Sequence, residues 1–282
     1  MRLRNTGAQI FIPDGLPLDK ALKRTTHLAV GAHPDDVEIL AYHGILNCFD
    51  LQDKWFTGVV VTNGAGSIRD STYARYSQED ICRIRTNEQK KAACVGGYSA
   101  QFLLDYDSET IKNPGNRDPV EDLIAIFRKT RPKAIYTHNP ADRHATHVAT
   151  SLRVIQALRE LGRDELPRHL YGCEVWGSLD WMADEDKIVM DTSGRENLQM
   201  ALIGLFNSQI SAGKRYDLGI MGRQRMNATF YQSHMPDTAS KLIFAMDLTP
   251  LITQPAVDIE GYVNKHIERF RAATLNRLKQ LK

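Results

Sequence analysis

Short apolar runs take turns along this chain with longer stretches in which apolar residues recur every three or four positions. His27–Gly31 (HLAVG), Trp55–Thr62 (WFTGVVVT), Ala100–Leu104, Lys133–Thr137 (KAIYT) and Leu170–Trp176 read as strands, being short and largely apolar. Val37–Asp50, Asp80–Val95, Pro119–Thr130 and Thr146–Leu161 read as helices, with Leu123, Ile124 and Phe127 on one side of the third. Gly96-Gly97 supplies a helix stop. This alternation predicts an α/β fold: a three-layer, Rossmann-like, mostly parallel sheet with helices on both faces and right-handed crossovers. Such sheets hold ligands outside the carboxyl ends of their strands. Residues 1–24 read as a lead-in with turn signals at Pro13, Gly15 and Pro17. Beyond about residue 177 the pattern weakens. Asn197–Ser208 and Asp258–Lys279 look helical, and Ala212–Leu242, polar with several aromatic residues, reads as a lid or wall. The expectation is one domain over 1–282, with a core at about 25–180 and a C-terminal extension at about 181–282.

Composition narrows the partners. The 282 residues are 42% hydrophobic and 25% charged, with 36 basic and 34 acidic side chains and a net charge of +2. That balance gives no reason to expect nucleic acid or an anionic membrane. The basic end (Arg269, Arg271, Arg277, Lys279, Lys282) reads as a solvated helix face. Cys48, Cys82, Cys94 and Cys173 form no C-x-x-C pair, so neither a disulfide framework nor a thiolate zinc site is signalled. No apolar run approaches the roughly 20 residues of a membrane span, and the N-terminus lacks the apolar core of a secretion signal. A cytoplasmic protein is expected, with homo-oligomerisation left open.

Two segments carry chemistry, and both fall at predicted strand ends. Gly31–Leu40 (GAHPDDVEIL) follows the first strand, and His138–Thr150 (HNPADRHATHVAT) follows the KAIYT strand. A catalytic metal takes about three nitrogen and oxygen ligands and keeps one position open, with a carboxylate nearby to accept a proton. His33-Pro34-Asp35-Asp36 can supply two ligands and a base, one aspartate binding metal while the other stays free. His144 and His147, three apart, share a helix face: one can complete the site and the other can face a reacting carbonyl, a cationic imidazole there stabilising an oxyanion. Taken singly, an Asp-Asp pair is more often a helix N-cap and a His-x-x-His a chance spacing. Their meeting at two strand ends favours the metal.

These residues resemble the PIG-L/LmbE-like family of zinc-dependent N-deacetylases, through GAHPDDVEIL and through Asp142-Arg143-His144-Ala145-Thr146-His147. Weaker similarity lies in Asn63–Ser67, in Arg85 and Glu88, in Asp105, and in Phe206-Asn207-Ser208-Gln209, where Asn207 replaces the family's histidine. The likeness spans roughly residues 25–215. It implies His33, Asp36 and His147 as zinc ligands, Asp35 as general base, and His144 as the cation polarising the carbonyl. It implies Arg85, Asn63 and Asp105 in substrate binding, with an Arg85–Glu88 ion pair as the bland alternative for Arg85. One departure stands out: Ala145 and Thr146 occupy the place of a proline and an aspartate, and that aspartate supports the first histidine's charge. Asp142 is its candidate substitute, or else a cap. His138 and His43 read as structural.

The function expected is therefore hydrolysis of a linear amide C–N bond (EC 3.5.1.-), most simply N-deacetylation of an N-acetylglucosamine-type sugar or glycoconjugate, with Zn²⁺ or another divalent transition metal (Fe²⁺, Co²⁺, Ni²⁺). An amidase acting on a thiol conjugate is the alternative, with Lys214, Arg215, Tyr216, Arg223 and Arg225 placed to take a carboxylate or phosphate. A non-catalytic sugar-binding protein finds no support in a chain that keeps base and histidines. A nucleotide-binding protein would use Asn63-Gly64-Ala65-Gly66, but no G-x-G-x-x-G follows the first strand.

Overall fold

The computed structural model describes residues 1–232, 234–254 and 256–282. Its strands are β1 (Gln9–Phe11), β2 (His27–Gly31), β3 (Phe56–Thr62), β4 (Ala100–Tyr106), β5 (Ala134–His138), β6 (His169–Cys173), β7 (Lys187–Asp191) and β8 (Leu242–Asp247). They form one sheet in the order β1-β4-β3-β2-β5-β6-β8-β7. The five central strands, β4 to β6, run parallel. β1 joins one edge antiparallel, and β8 and then β7 close the other. The expected α/β class and mostly parallel sheet are thus present.

The main helices are α1 (Asp36–Leu40), α2 (Gln78–Val95), α3 (Asp118–Thr130), α4 (Ala145–Arg159), α5 (Glu196–Gly204), α6 (Tyr216–Phe230) and α7 (Ile259–Gln280). Central strands are largely apolar because both faces are covered. Leu28 and Val30 of β2 pack with Leu123, Phe127 and Ile155 of α3 and α4. Ala29, between them, faces the opposite layer with Val37, Leu40, Ala92 and Leu202. A capping box at Ser77 and Asp80 starts α2. β2 connects onward to β3 on one side while β5 flanks it on the other, so the topological switch, and the crevice it opens, lie between the carboxyl ends of β2 and β5. Both motifs begin there.

Three local expectations change. The helix expected over Val37–Asp50 breaks at Ala41 into Asp36–Leu40 and Tyr42–Leu46. The lead-in contributes β1. The extension is more than a lid: it supplies β7 and β8 to the sheet, and Ala212–Leu242 contains the fifteen-residue α6. Among the described residues no helix is long and apolar enough to cross a membrane.

Candidate metal centre and active-site cleft

The loop after β2 is fixed from both sides. Ala32 O accepts from Thr62 N and Thr62 Oγ1, both at 2.8 Å, and Ala32 N donates to His138 Nε2 at 2.9 Å. Neighbouring strands therefore set the position of His33. Glycine is required at Gly31, where a Cβ would meet Asp36 Cβ at 2.9 Å and Val37 N at 3.1 Å, because the loop folds back on itself. Asp35 adopts φ 98°, a left-handed conformation that costs a non-glycine residue energy and is held only by its surroundings. Gln89 on α2 supplies one restraint, its Oε1 accepting from Asp35 N at 3.3 Å. Asp35 stands at the N-cap of α1 yet makes no capping bond with its side chain, so the capping alternative does not consume its carboxylate.

Three atoms converge beside it. Asp36 Oδ2 lies 3.1 Å from His33 Nδ1 and 3.4 Å from His147 Nε2, and the two nitrogens are 3.3 Å apart. A tetrahedral ion bound at about 2.0–2.1 Å places its ligands about 3.3–3.4 Å from one another. The triangle has those dimensions. Two imidazole nitrogens facing a carboxylate oxygen, lone pair toward lone pair, are satisfied by a cation at their centre. The residues present therefore fit a divalent metal of the nitrogen–oxygen class, with His33, Asp36 and His147 to hold it.

His147, fully buried on α4, is backed by Asp142: Nδ1 sits 3.3 Å from Asp142 Oδ1, too poorly aligned for a full hydrogen bond, and burial lowers the imidazole to about 4, so the two form an ion pair only in acid. A carboxylate behind a ligand histidine directs the other ring nitrogen to the metal. Asp142 also accepts from His144 N at 2.9 Å and Trp176 N at 3.1 Å. Burial opposes its charge, but the His147 contact and these backbone donors outweigh it and hold the carboxyl at about 2. Asp142 thus supports His147 and meets His144 only through the backbone. Burial, then His33, push the His144 imidazole toward neutrality, and its Nδ1 has no partner among the described residues. The expected imidazolium at His144 lacks the carboxylate that would sustain it. His138 stacks on His147 with centroids 3.9 Å apart, its Nε2 lone pair committed to Ala32 N. It is a strand residue that braces the site.

Residues 28–158 match the family model described as PIG-L: GlcNAc-PI de-N-acetylase. Over that span, just under half of the chain, the sequence is similar to the PIG-L family. Solved structures of similar fold include the N,N'-diacetylchitobiose deacetylase of Pyrococcus horikoshii, 19% identical, with a TM-score of 0.61 over 84% of this chain and 88% of that one. The conserved protein TT1542 of Thermus thermophilus is 17% identical, with 0.59 over 82% and 98%. GalB, a 4-carboxy-2-hydroxymuconate hydratase of Pseudomonas putida, is 15% identical, with 0.58 over 79% and 95%. At such identities the likeness establishes the fold, and a fold hosts more than one chemistry.

The matched segment forms one wall of a cleft of about 860 Å³ whose lining includes His33, Asp35, Asp36 and His144. Asn63 and Gly64 line it too. Arg85 is buried beneath, donating from Nη1 to Gly64 O at 2.8 Å. The Arg85–Glu88 ion pair does not form: Glu88 accepts from Ser208 N and Oγ at 2.8 and 2.6 Å instead. Asp105 is not brought to the cleft. Its φ of 58° turns it to the exposed side next to Gly7, and Asp107 and Ser108 take the lining position. Asn207, in the family histidine's place, is outside the lining, whereas Gln209 is within it. The opposite wall comes from beyond the family match: Trp176, Lys214, Arg215, Tyr216 and Arg223. Arg225, expected with them, pairs with Glu196 instead.

Sequence reading missed the polar chain beneath Asp35. Glu38, fully buried, accepts from Gln89 Nε2 and Tyr98 OH, both at 2.8 Å, and Gln89 reaches on to Asp35. The available signal was spacing: Arg85, Glu88 and Gln89 share one face of α2, which points at the loop. Burial raises the Asp35 carboxyl well above the usual range, the adjacent Asp36 raises it further, and Arg85 draws it back.

Proposed function

We propose that the chain is a zinc-dependent amide hydrolase that removes the acetyl group from an N-acetylglucosamine-type sugar or glycoconjugate. The observation that carries this reading is the Asp35 carboxylate, unspent on capping, beside the His33–Asp36–His147 triangle on the wall of a substrate-sized cleft. Zinc, when bound, would polarise the amide carbonyl and acidify a water.

The chain's own groups do the rest. Asp35 takes a proton from the attacking water; burial, which weakens its acidity, makes it a stronger base near neutral pH. As the carbonyl oxygen gains charge, His144 donates a hydrogen bond to it as a neutral imidazole. Asp35 then returns its proton to the departing nitrogen as the C–N bond breaks, giving a carboxylate and an amine. His144 and Tyr216 flank Trp176, their ring centroids 5.8 and 5.9 Å from its own, and this aromatic face suits the apolar side of a sugar ring. Lys214 Nζ lies 5.0 Å from the Trp176 ring, and Arg223 donates to Val175 O and Trp176 O. Neither pairs with an acid among the described residues, so both are free to meet an anionic substituent.

The test is amine release from a panel of N-acetylated amino sugars and other small amides, measured after chelation and after zinc is restored. The reading expects zinc-dependent release from amino sugars. Equal rates with and without chelator would reject the metal. Zinc-dependent turnover confined to other amides would keep the chemistry and reject the sugar.

A further inference from the structure

The helix α7 starts on the body and then leaves it. Asp258 caps it by accepting from Gly261 N at 2.7 Å, Tyr262 OH donates to Asp247 O at 2.6 Å, and His266 is buried beside Asp186. Beyond His266 every residue is exposed except half-buried Thr274. At about 3.6 residues per turn, Val263, Ile267, Phe270, Thr274, Leu278 and Leu281 fall within a stripe roughly 80° wide. Val263, at its start, is half-buried. The rest overruns the core for about 22 Å, with Phe270 48%, Leu278 53% and Leu281 81% exposed. An isolated helix of this length is marginal in water, and a narrow apolar seam is the pattern of helix pairing.

Charge selects the occupant. After Arg269 the chain carries only basic charges, Arg271, Arg277, Lys279 and Lys282. Its root holds five acids, Asp184, Glu185, Asp186, Glu260 and Glu268, against Lys187, Lys265 and Arg269, and Glu268 also meets Arg271 of the tip. Antiparallel pairing about a two-fold axis puts each basic tip against the other copy's acidic root. Parallel pairing would stack like charges, and the acidic root would be repelled by an anionic membrane. We infer that residues 267–281 form a self-association surface that pairs antiparallel with the same segment of a second copy of this chain.

Sedimentation equilibrium of the full chain tests this independently of catalysis. The inference expects a species of twice the 31.8 kDa chain mass. Phe270→Glu with Leu278→Glu should return it to a monomer that still unfolds cooperatively, since both positions are exposed in the single chain. Arg277→Glu with Lys279→Glu should weaken the dimer about tenfold or more at low salt, and added salt should weaken the native dimer. A native chain that stays monomeric at its highest soluble concentration overturns the inference. So does a dimer that survives the Phe270 and Leu278 changes, or one that charge reversal leaves intact. A monomer that sediments with phosphatidylserine vesicles would assign the stripe to a membrane instead.

Discussion

Asp142→Asn removes one negative charge from behind His147 without changing the shape of the side chain much. In the native protein one carboxylate oxygen faces His144 N and His147 Nδ1, and the other faces Trp176 N and Gly177 N. Asparagine has one acceptor oxygen, so on one side an amide N–H must oppose donors. The carboxyl sits at about 2 against an ordinary 3.8. At about 1.36 kcal/mol per unit that difference amounts to about 2 kcal/mol. The folded value lies below the unfolded one, so this stability is present above about pH 4 and is lost as pH falls through about 2. Urea unfolding of the metal-free protein should show Asp142→Asn about 2 kcal/mol less stable at about pH 7, with the gap narrowing between about pH 4 and pH 2. Metal affinity should fall about 10–100-fold, because the carboxylate no longer directs the imidazole. A stability gap that is the same at low and neutral pH would mean that packing, not charge, explains the loss, and would refute the role given to Asp142.

Gln89→Leu frees Asp35 N and removes one donor from buried Glu38; kcat should drop about tenfold or more while metal content and KM hold, a split read from steady-state kinetics. Gly64→Ala places a Cβ 2.6 Å from Arg85 Nη1 at φ +70°, so denaturation should show a loss of about 1–3 kcal/mol. Trp176→Ala strips the aromatic face of the cleft, and KM for the sugar should rise several-fold with kcat little changed. A fall in kcat alone would remove Trp176 from substrate binding.

What the sequence made legible was local. His33, Asp35, Asp36, His144 and His147 sit in two strings that each follow a strand of unmistakable apolarity, and a parallel sheet brings strand ends together. What it hid depends on distant partners. LIFAMD in β8 is a strand because β6 and β7 pair with it across long stretches of chain, and three-residue β1 exists only through its pairing with β4. The break at Ala41 and the left-handed turn at Asp35 leave no periodic trace. Asp105 follows a strand as the motif residues do, yet a single positive φ sends it away from the cleft. Asp142 read equally as a cap or as a partner of His144; only the fold sets it against His147.

The most direct measurement is zinc content together with amine release for Asp35→Asn beside the native chain. The account predicts about one ion per chain in both proteins and a rate at least about a hundredfold lower in the variant. A variant that keeps its metal and most of its rate would contradict the assignment of Asp35 as the base on which the proposed chemistry turns.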